Sequence, residues 1–196
     1  MEEVERAGVP VVFAESETQW RNWLQANHDE KKSAWLVIFK KESGFPSVYY
    51  PEAVDQALCF GWIDSKPNKR DENSYYQFFA KRNPKSNWSR VNKEKIARLQ
   101  AQNLLHESGL KMIALAKKSG TWDALNDVEN LQLPADLADS FASNDVAFKN
   151  WDAFPKSVKR GILEWIAAAK TAPTREKRIQ QTVAAASINK RILYDK

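Results

Sequence analysis

The sequence predicts an α+β fold, in which a small, mainly antiparallel sheet with helices on one face is followed by an all-helical C-terminal module. Residues 33–40 form a near-continuous apolar run of strand length, which is typical of a buried central strand. Two further β-prone runs, residues 62–66 and 75–80, lie close together in the chain and predict a hairpin. Beyond residue 86, every periodic segment has the spacing of a helix.

Three further elements are predicted in the part of the chain before the hairpin. One strand and one helix precede the central strand, and a second helix lies between the central strand and the hairpin. Residues 9–13 are short, apolar and β-prone, which predicts the strand. Residues 15–27 predict the first helix because their tryptophans share one helical face, and Ser16 is the expected N-cap. Residues 50–60 predict the second helix, with a proline in its first turn and Gly61 just past its end.

Polar breaks in the chain define the remaining elements. Residues 67–73 are strongly polar and form the expected loop of the hairpin, and residues 123–134 are acidic and loop-like. We therefore expect an α+β domain over residues 1–120 and a helical module over residues 121–196. The predicted helices beyond the hairpin span residues 86–103, 108–118, 134–143, 145–154, 157–170 and 171–192.

The composition indicates a globular chain with an ordinary core. The chain has 196 residues, of which 43% are hydrophobic and 28% charged, so it can bury a core without disulfides or metals. Its eight tryptophans are spread along the whole chain, which favours core packing over one aromatic ligand cage. Cys59 is the one cysteine and lies in an apolar run, so we expect a buried thiol that packs as a small hydrophobe.

The residue types needed for metal, cofactor and membrane sites are missing or badly spaced. His28 and His106 are the two histidines, and because both lie in separate polar contexts we expect them to be solvent-exposed and predict no metal site. The glycines do not form the pattern of a phosphate-binding loop, and no cofactor is predicted. The acidic N-terminus is unlike a signal peptide, and no run approaches the ~18 apolar residues of a membrane span. These features predict a cytoplasmic protein without membrane insertion.

The net charge of +5 is unevenly distributed along the chain. Residues 61–120 carry 13 basic and 5 acidic side chains, and residues 156–196 carry 10 and 3. Residues 121–155, in contrast, carry 1 basic and 7 acidic side chains. The two basic segments are therefore better evidence for an anionic partner than the overall charge is.

Three segments carry a resemblance to a known family. They are ALCFGWID at residues 57–64, KRNPKSNWSRVN at residues 81–92, and FPKSVKRGILEWIAAAK at residues 154–170, which TREKRI follows at residues 174–179. In this order and spacing, over roughly residues 30–190, the chain resembles the YdeI/OmpD-associated family, also called bacteriocin-protection proteins. Ser65 departs from the family's pattern, in which a glycine follows the Trp-Ile-Asp. The resemblance implies an α+β part, a helical C-terminal module and a link to antimicrobial-peptide resistance, without a catalytic residue or cofactor.

Trp62 and Asp64 are the first candidates for a ligand-binding site. Strand alternation places both on one face of the sheet and Ile63 on the other, which would present an aromatic–acid pair to a ligand. The structural alternative, which we favour, is that Asp64 pairs with Arg82 or Lys66, or binds a backbone amide in the turn.

Residues 81–98 are the segment most suggestive of binding. Seven basic side chains lie here beside one acidic residue, and a basic loop that leads into a helix N-terminus suits an anion or a phosphate. Aromatic residues at positions 75, 76, 78 and 79 would add a stacking surface. A solvated basic face and ordinary core packing are the alternative interpretation of both features. The candidate binding residues of this segment are Arg82, Lys85, Trp88, Ser89, Arg90 and Asn92.

Two basic helix starts, residues 156–160 and 174–178, place cations where the helix dipole disfavours them. We predict that the acidic segment, residues 121–155, lies against these starts and neutralises their charge. We favour this intramolecular pairing over a nucleic-acid-binding surface.

The leading functional prediction is a non-enzymatic, cytoplasmic binding protein that is linked to stress or antimicrobial-peptide resistance. Its expected partner is an anionic small molecule or a protein, bound by residues 82–92 beside Trp62 and Asp64. One alternative is a nucleic-acid-binding module that uses the basic residues 81–98. A second alternative is an enzyme with a pocket around Trp62 and Asp64.

Overall fold

The computed structural model describes residues 4–195, which form two compact units, one ending at Asp123 and one beginning at Ala124. The first unit contains strands β1 Val4–Arg6, β2 Val9–Phe13, β3 Ser33–Phe39, β4 Trp62–Lys69 and β5 Ser74–Lys81, and helices α1 Glu17–Asn27, α2 Tyr50–Cys59, α3 Arg90–Ala101 and α4 Glu107–Ser119. The second contains α5 Asn126–Glu129, α6 Ala135–Ala142, α7 Asp145–Ala153, α8 Lys156–Ala167 and α9 Ala172–Ser187. Within residues 4–195, no helix has the length and apolar character needed to cross a membrane.

The strands of the first unit form one open sheet in the order β1-β2-β3-β5-β4. The pairs β1–β2, β3–β5 and β4–β5 are antiparallel, and β2 and β3 are parallel. The predicted α+β class, with a mainly antiparallel sheet, is therefore confirmed. Strand β3 is central, as predicted, and residues 34–38 of it are all buried because both faces of the sheet are covered there.

Helices α1 and α2 cover one face of this sheet. The indole nitrogen of the fully buried Trp20 on α1 donates a hydrogen bond to the carbonyl oxygen of Ala53 on α2, at 3.0 Å. The opposite face carries a separate aromatic cluster, in which the rings of Trp35 and Phe78 pack with centroids 4.7 Å apart. The main core of the unit includes Trp20, Leu24, Leu36, Ile38, Leu58, Trp62, Phe79 and Trp88.

The second unit is helical, and its core includes Leu137, Phe141, Trp151, Ile162 and Ile166. Charge pairing joins its basic helix starts to its acidic segment, as the charge distribution predicts. Lys159 lies 3.1 Å from Asp152, and Arg160 lies 3.4 Å from Glu129. On α9, the Arg175 guanidinium donates to both carboxylate oxygens of Asp136, at 2.6 and 2.9 Å. These pairs confirm the predicted intramolecular neutralisation.

Several boundaries differ from the prediction. Strand β4 continues through Pro67 to Lys69, where a loop was predicted, because β4 is an edge strand and a missing backbone N–H is tolerated there. The register shifts between Asp64 and Pro67, which accommodates the proline. Helix α9 ends at Ser187, five residues before the predicted end, and both β1 and α5 were not predicted.

Candidate ligand-binding cavity

Trp62 lies at the start of β4 with 1% of its surface exposed, so its ring belongs to the core of the first unit. Its ring packs edge-on against Trp23, with centroids 6.0 Å apart. The indole Nε1–H of Trp62 is buried and has no hydrogen-bond partner among the described residues. The predicted ligand-facing Trp62 surface is therefore an interior one, and it can meet a ligand only inside the unit.

Asp64 has a local structural partner, but it differs from the predicted ones, which were Arg82, Lys66 or a backbone amide in the turn. Its carboxylate accepts a hydrogen bond of 2.7 Å from the hydroxyl of Tyr50, at the start of α2, and no bond to Arg82 or Lys66 accompanies it among the described contacts. Burial, together with this hydrogen bond, raises the pKa of Tyr50 to about 12. Tyr50 reaches Asp64 because α2 packs over β4, and Tyr50 is the first residue of α2.

Arg82 and Trp88 are buried and contact each other, so these two predicted binding residues serve the fold. The Arg82 guanidinium carbon lies 3.9 Å from the centre of the Trp88 ring, and the two residues are 5% and 1% exposed. Arg82 also donates to the carbonyl oxygen of Asn87, and its backbone N–H donates to Gly61 at 3.0 Å. Burial lowers the pKa of Arg82 to about 10. This cation–π contact holds the loop between β5 and α3 against the core.

The rest of the basic segment is divided between helix capping, ion pairing and solvent. Ser89, a predicted binding residue, caps α3, because its hydroxyl accepts from the backbone N–H of the half-buried Asn92 at 3.4 Å. Lys85 and Arg90 are exposed. Further along α3, Lys95 and Arg98 both pair with the buried carboxylate of Asp55 on α2, each at 2.6 Å. The predicted continuous basic surface is therefore reduced by internal pairing.

The predicted stacking surface is also divided by the strand. Phe79 is fully buried in the main core, whereas Tyr76 and Phe78 lie on the opposite face of the sheet with Trp35. The Arg6 guanidinium lies 4.5 Å from the centre of the Tyr76 ring and covers it. The aromatic residues of β5 therefore do not form one surface next to α3.

A small cavity lies beside Trp62, and we name it the His28–Trp62 cavity. Its volume is about 110 Å³. It is formed where the end of α1, the turn after α2 and the beginning of α4 meet the end of β5. The lining residues are His28, Asp29, Phe60, Gly61, Trp62, Lys81, Ser108 and Met112.

His28 is 6% exposed, which corrects the prediction of a solvent-exposed histidine. It follows the last residue of α1, and its Nδ1 lies 3.0 Å from the carbonyl oxygen of Leu24. Because a carbonyl oxygen only accepts, Nδ1 must donate, and Nε2 is left with no hydrogen-bond partner among the described residues. The Asp29 carboxylate lies 3.4 Å from Nε2, within ion-pair reach but without forming a hydrogen bond. The Asp29 side chain is 85% exposed, so solvent weakens its attraction for the His28 ring.

His106, the second histidine, is partly buried and packs against the first. The two rings lie 4.7 Å apart edge to face, and His106 stacks on Phe60 at 4.8 Å. Its Nδ1 caps α4 by accepting from the backbone N–H of Ser108 at 3.2 Å. Burial, followed by the proximity of His28, lowers the pKa of His106, which favours a neutral ring.

Two glycines allow the helices around the cavity to approach closely. Gly61 has φ +74°, in the left-handed region, and turns the chain from α2 into β4 as predicted. Gly109 on α4 faces the end of α2, where a Cβ atom would lie 2.2 Å from the carbonyl oxygen of Cys59. The backbone N–H of His106 donates to that same oxygen at 3.0 Å. This contact brings Ser108 to the cavity and His106 to the ring of His28.

Sequence reasoning missed His28, Lys81 and Ser108 as lining residues. Each lies at the end of an element that was correctly predicted, but no spacing in the sequence relates them. The two histidines come together because α4 packs against the end of α2, and local sequence patterns do not predict such packing between helices. Within residues 4–195, no group of three or more His, Cys, Asp or Glu side chains is arranged to hold a metal ion.

The chain is thus a two-unit protein, with an α+β unit that contains a small cavity open to solvent and a separate helical unit. Residues 12–112, just over half of the chain, match the family described as a domain of unknown function, DUF8412, and the chain belongs to that family. Residues 130–188 match the family described as bacteriocin-protection, YdeI or OmpD-associated. No curated protein and no solved structure matches the chain.

These matches confirm the YdeI/OmpD-associated resemblance and narrow its extent. The segment at residues 154–170 and its continuation lie inside the region that matches this family. The segments at residues 57–64 and 81–92 lie inside residues 12–112 and therefore belong to the other family. The cavity residues from His28 to Met112 also fall within that family's region.

Proposed function

We propose that this is a non-enzymatic binding protein of the YdeI/OmpD-associated type, whose α+β domain holds a small anionic molecule in the His28–Trp62 cavity. We place this domain in residues 1–120 and the helical module in residues 121–196. The proposed location is the cytoplasm, and the proposed role is in stress or bacteriocin resistance. The printed description of the family matched by residues 130–188 supports this role.

The observation that carries the binding proposal is a pair of buried ring nitrogens around one cavity. Trp62 Nε1 and His28 Nε2 both belong to side chains more than nine-tenths buried, and neither has a hydrogen-bond partner among residues 4–195. A buried polar group without a partner costs about 1–3 kcal/mol, so native proteins rarely retain one without a use. Neither nitrogen is accessible to water in this structure, so a molecule in the cavity bonds to them only after one of the rings turns.

The charge of the lining supports an anion. Lys81 contributes an ammonium group, which the backbone carbonyl of Asp29 holds in place by accepting a hydrogen bond of 2.7 Å. The carboxylate of Asp29 is mainly exposed and is directed largely to solvent. The Trp62 N–H and the Lys81 ammonium can only donate hydrogen bonds. At least two of the polar groups in the lining are therefore hydrogen-bond donors.

The indole N–H of Trp62 provides a direct test. In a ¹⁵N-labelled sample the eight tryptophans give separate side-chain signals, and Trp62→Phe assigns the relevant one by its loss. We expect formate, acetate or phosphate to shift this signal saturably and to leave the signal of Trp165, in the second unit, unchanged. Trp165→Phe is the matched control, because it removes an indole away from the cavity. No shift of the Trp62 signal with any of these anions would refute the proposal.

A nucleic-acid-binding module remains a second candidate, favoured by the exposed Lys85 and Arg90 next to the start of α3. The internal pairing of Lys95 and Arg98 with Asp55 weakens it, because cations that are already paired release few counterions from a nucleic acid. Titration with single-stranded and duplex polynucleotides at two salt concentrations tests it. Affinity that falls steeply with salt, and that is lost in Lys85→Ala/Arg90→Ala, would establish this candidate in place of the first.

An enzyme is the third candidate, and one contact favours it. The hydroxyl of Ser108 lies 2.9 Å from Nδ1 of His106, within reach for a nucleophile and a base. The same hydroxyl is 3.0 Å from the carbonyl oxygen of Phe60, to which it can donate its one hydrogen. Labelling of Ser108 by a fluorophosphonate probe would support the enzyme, and labelling equal to that of Ser108→Ala would exclude this nucleophile.

A further inference from the structure

An apolar groove lies between α6 and α7 of the second unit, and we name it the α6–α7 groove. Its volume is about 300 Å³. Phe148 on α7 lies at its edge with 45% of its surface exposed, and the Phe148 ring packs against that of Phe141 with centroids 5.9 Å apart. An exposed phenylalanine beside an apolar groove is typical of a surface that another molecule covers. The lining residues are Leu133, Ala138, Phe141, Ala142, Asp145 and Phe148.

Two side chains of opposite charge lie next to Phe148 on the same face of α7. Asp145, Phe148 and Lys149 are spaced by three and four residues, which places them on one face of the helix. Asp145 and Lys149 are both exposed, and neither forms an ion pair within residues 4–195. Asp152, one turn further along, is already paired with Lys159 at 3.1 Å. The exposed face of α7 therefore carries one free carboxylate and one free ammonium group, four residues apart.

This face of α7 is complementary to itself about a two-fold axis. If the α7 helices of two copies run antiparallel about an axis near residue 147, each Asp145 lies opposite the second copy's Lys149. The same rotation places Phe148 of each copy against the α6–α7 groove of the other. Ala138 and Ala142 have short side chains, which leave room in the groove for a phenyl ring. A parallel arrangement would instead place Asp145 opposite Asp145, so the charges select the antiparallel one.

We propose that the α6–α7 groove is the contact surface of a symmetric homodimer, in which each Phe148 is covered by the second copy and each Asp145 pairs with the second copy's Lys149. The partner is a second copy of this chain because one patch supplies both halves of every contact, namely the ring and the groove, and the carboxylate and the ammonium group. The patch is small, so we expect a transient dimer with a dissociation constant of about 1–100 µM. The inference concerns the second unit alone and does not depend on anion binding by the first.

Two charge variants of the full chain, studied by analytical ultracentrifugation, test the pairing across the axis. Asp145→Lys and Lys149→Asp each place like charges opposite one another in a homodimer, so each variant alone should dimerise at least about tenfold more weakly than the wild-type chain. An equimolar mixture of the two variants restores both pairs of opposite charge, and it should form a heterodimer with roughly the wild-type affinity. An ion pair within one helix cannot produce this recovery, because neither variant keeps opposite charges on its own α7.

Phe148→Ser tests the apolar contact, and Val146→Ser is the matched control. Val146 is 61% exposed on the same helix, but it lies about 200° around the helix from Phe148. Phe148→Ser should weaken the dimer at least about tenfold, whereas Val146→Ser should leave its dissociation constant unchanged. Circular dichroism shows whether each variant is folded, and the Phe148 result stands by itself if a charge variant does not fold.

Three outcomes would overturn the inference. A wild-type chain that stays monomeric up to about 1 mM has no such dimer, and the groove is then free or covered by a different molecule. A dimer that Phe148→Ser and Val146→Ser leave equally strong uses another surface. A mixture of the two charge variants that dimerises no better than either variant alone excludes the pairing of Asp145 with the second copy's Lys149.

Discussion

Replacing Gly109 by alanine should destabilise the first unit, whereas the same change at Gly161 in the second unit should not. Both glycines lie inside helices, and at both an added Cβ atom would approach another atom to about 2 Å. At Gly109 that atom is the backbone carbonyl oxygen of Cys59, at 2.2 Å. At Gly161 it is the hydroxyl oxygen of Tyr194, at 2.1 Å. Backbone at the end of α2 cannot move aside, but the tyrosine is 50% exposed and can rotate into solvent.

The magnitudes of the two changes follow from this difference. Alanine in place of glycine inside a helix stabilises it by about 0.5–1 kcal/mol. Overpacking a fixed contact costs about 1–3 kcal/mol, and the Cys59 carbonyl is fixed because it also accepts from the N–H of His106. Gly109→Ala should therefore lower the free energy of unfolding by roughly 2 kcal/mol. Gly161→Ala should change it by less than about 1 kcal/mol, in either direction.

Amide hydrogen exchange followed by mass spectrometry is the appropriate assay, because it reports on each unit separately. Peptides from α2 and α4 should lose protection in Gly109→Ala, and peptides from α8 and α9 should keep theirs in Gly161→Ala. The Gly109 variant should also weaken acetate binding, since α4 supplies Ser108 and Met112 to the cavity. Equal protection of α4 in the wild-type chain and in Gly109→Ala would refute the close contact between α4 and α2.

Three further predictions concern charge. Reversal of Lys159 and Arg160 to glutamate should lower the melting temperature of the second unit, because each reversal replaces an ion pair by repulsion; an unchanged melting temperature would contradict the pairing. Asp55→Asn should cost about 1–3 kcal/mol in urea unfolding, because two cations lose a partly buried partner. Glu107→Gln is the control, because it breaks an exposed pair and should leave the urea midpoint nearly unchanged. Because the pKa of His106 is lowered in the folded state, the unfolded chain binds more protons at this residue. His106 therefore contributes stability above its unfolded pKa of about 6.5, and this stability is lost as the pH falls through the folded pKa. His106→Asn retains a helix cap, so the free energy of unfolding of this variant should fall less at acid pH than that of the wild-type chain. An equal fall in both proteins would show that another group causes it.

Local patterns predicted most of the first unit correctly. The apolar run of residues 33–40 identified the central strand because a strand buried on both faces needs no polar alternation. Ser16 is the N-cap of α1, as predicted, since its hydroxyl accepts from the backbone N–H three residues later. Charge counting predicted the pairing of the basic helix starts, because seven acidic side chains in one short segment require nearby cations.

The candidate site was less predictable, for a physical reason. Sequence patterns indicate which face of a helix or strand is apolar, but they do not indicate which other elements lie at the end of that helix or strand. Arg82 and Trp88 have the composition of a binding loop, yet both are buried and pack on each other by a cation–π contact, while Arg82 Nε has no hydrogen-bond partner among the described residues. His28 and His106 have no mutual spacing in the chain and meet only because Gly109 admits α4 to the end of α2.

Trp20 and Trp62, two of the deeply buried tryptophans of the α+β unit, differ in how the fold satisfies their indole N–H groups. Trp20 and Trp62 lie in the same core, and both are at most 1% exposed. The fold provides Trp20 Nε1 with the carbonyl oxygen of Ala53, so an indole N–H can be satisfied in this core. Trp62 Nε1 has no such acceptor among the described residues and lines a cavity with a second unpaired nitrogen, on His28. A phenylalanine at position 62 would fill the core without the cost of an unpaired N–H, so the N–H of Trp62 costs the fold free energy that the N–H of Trp20 does not.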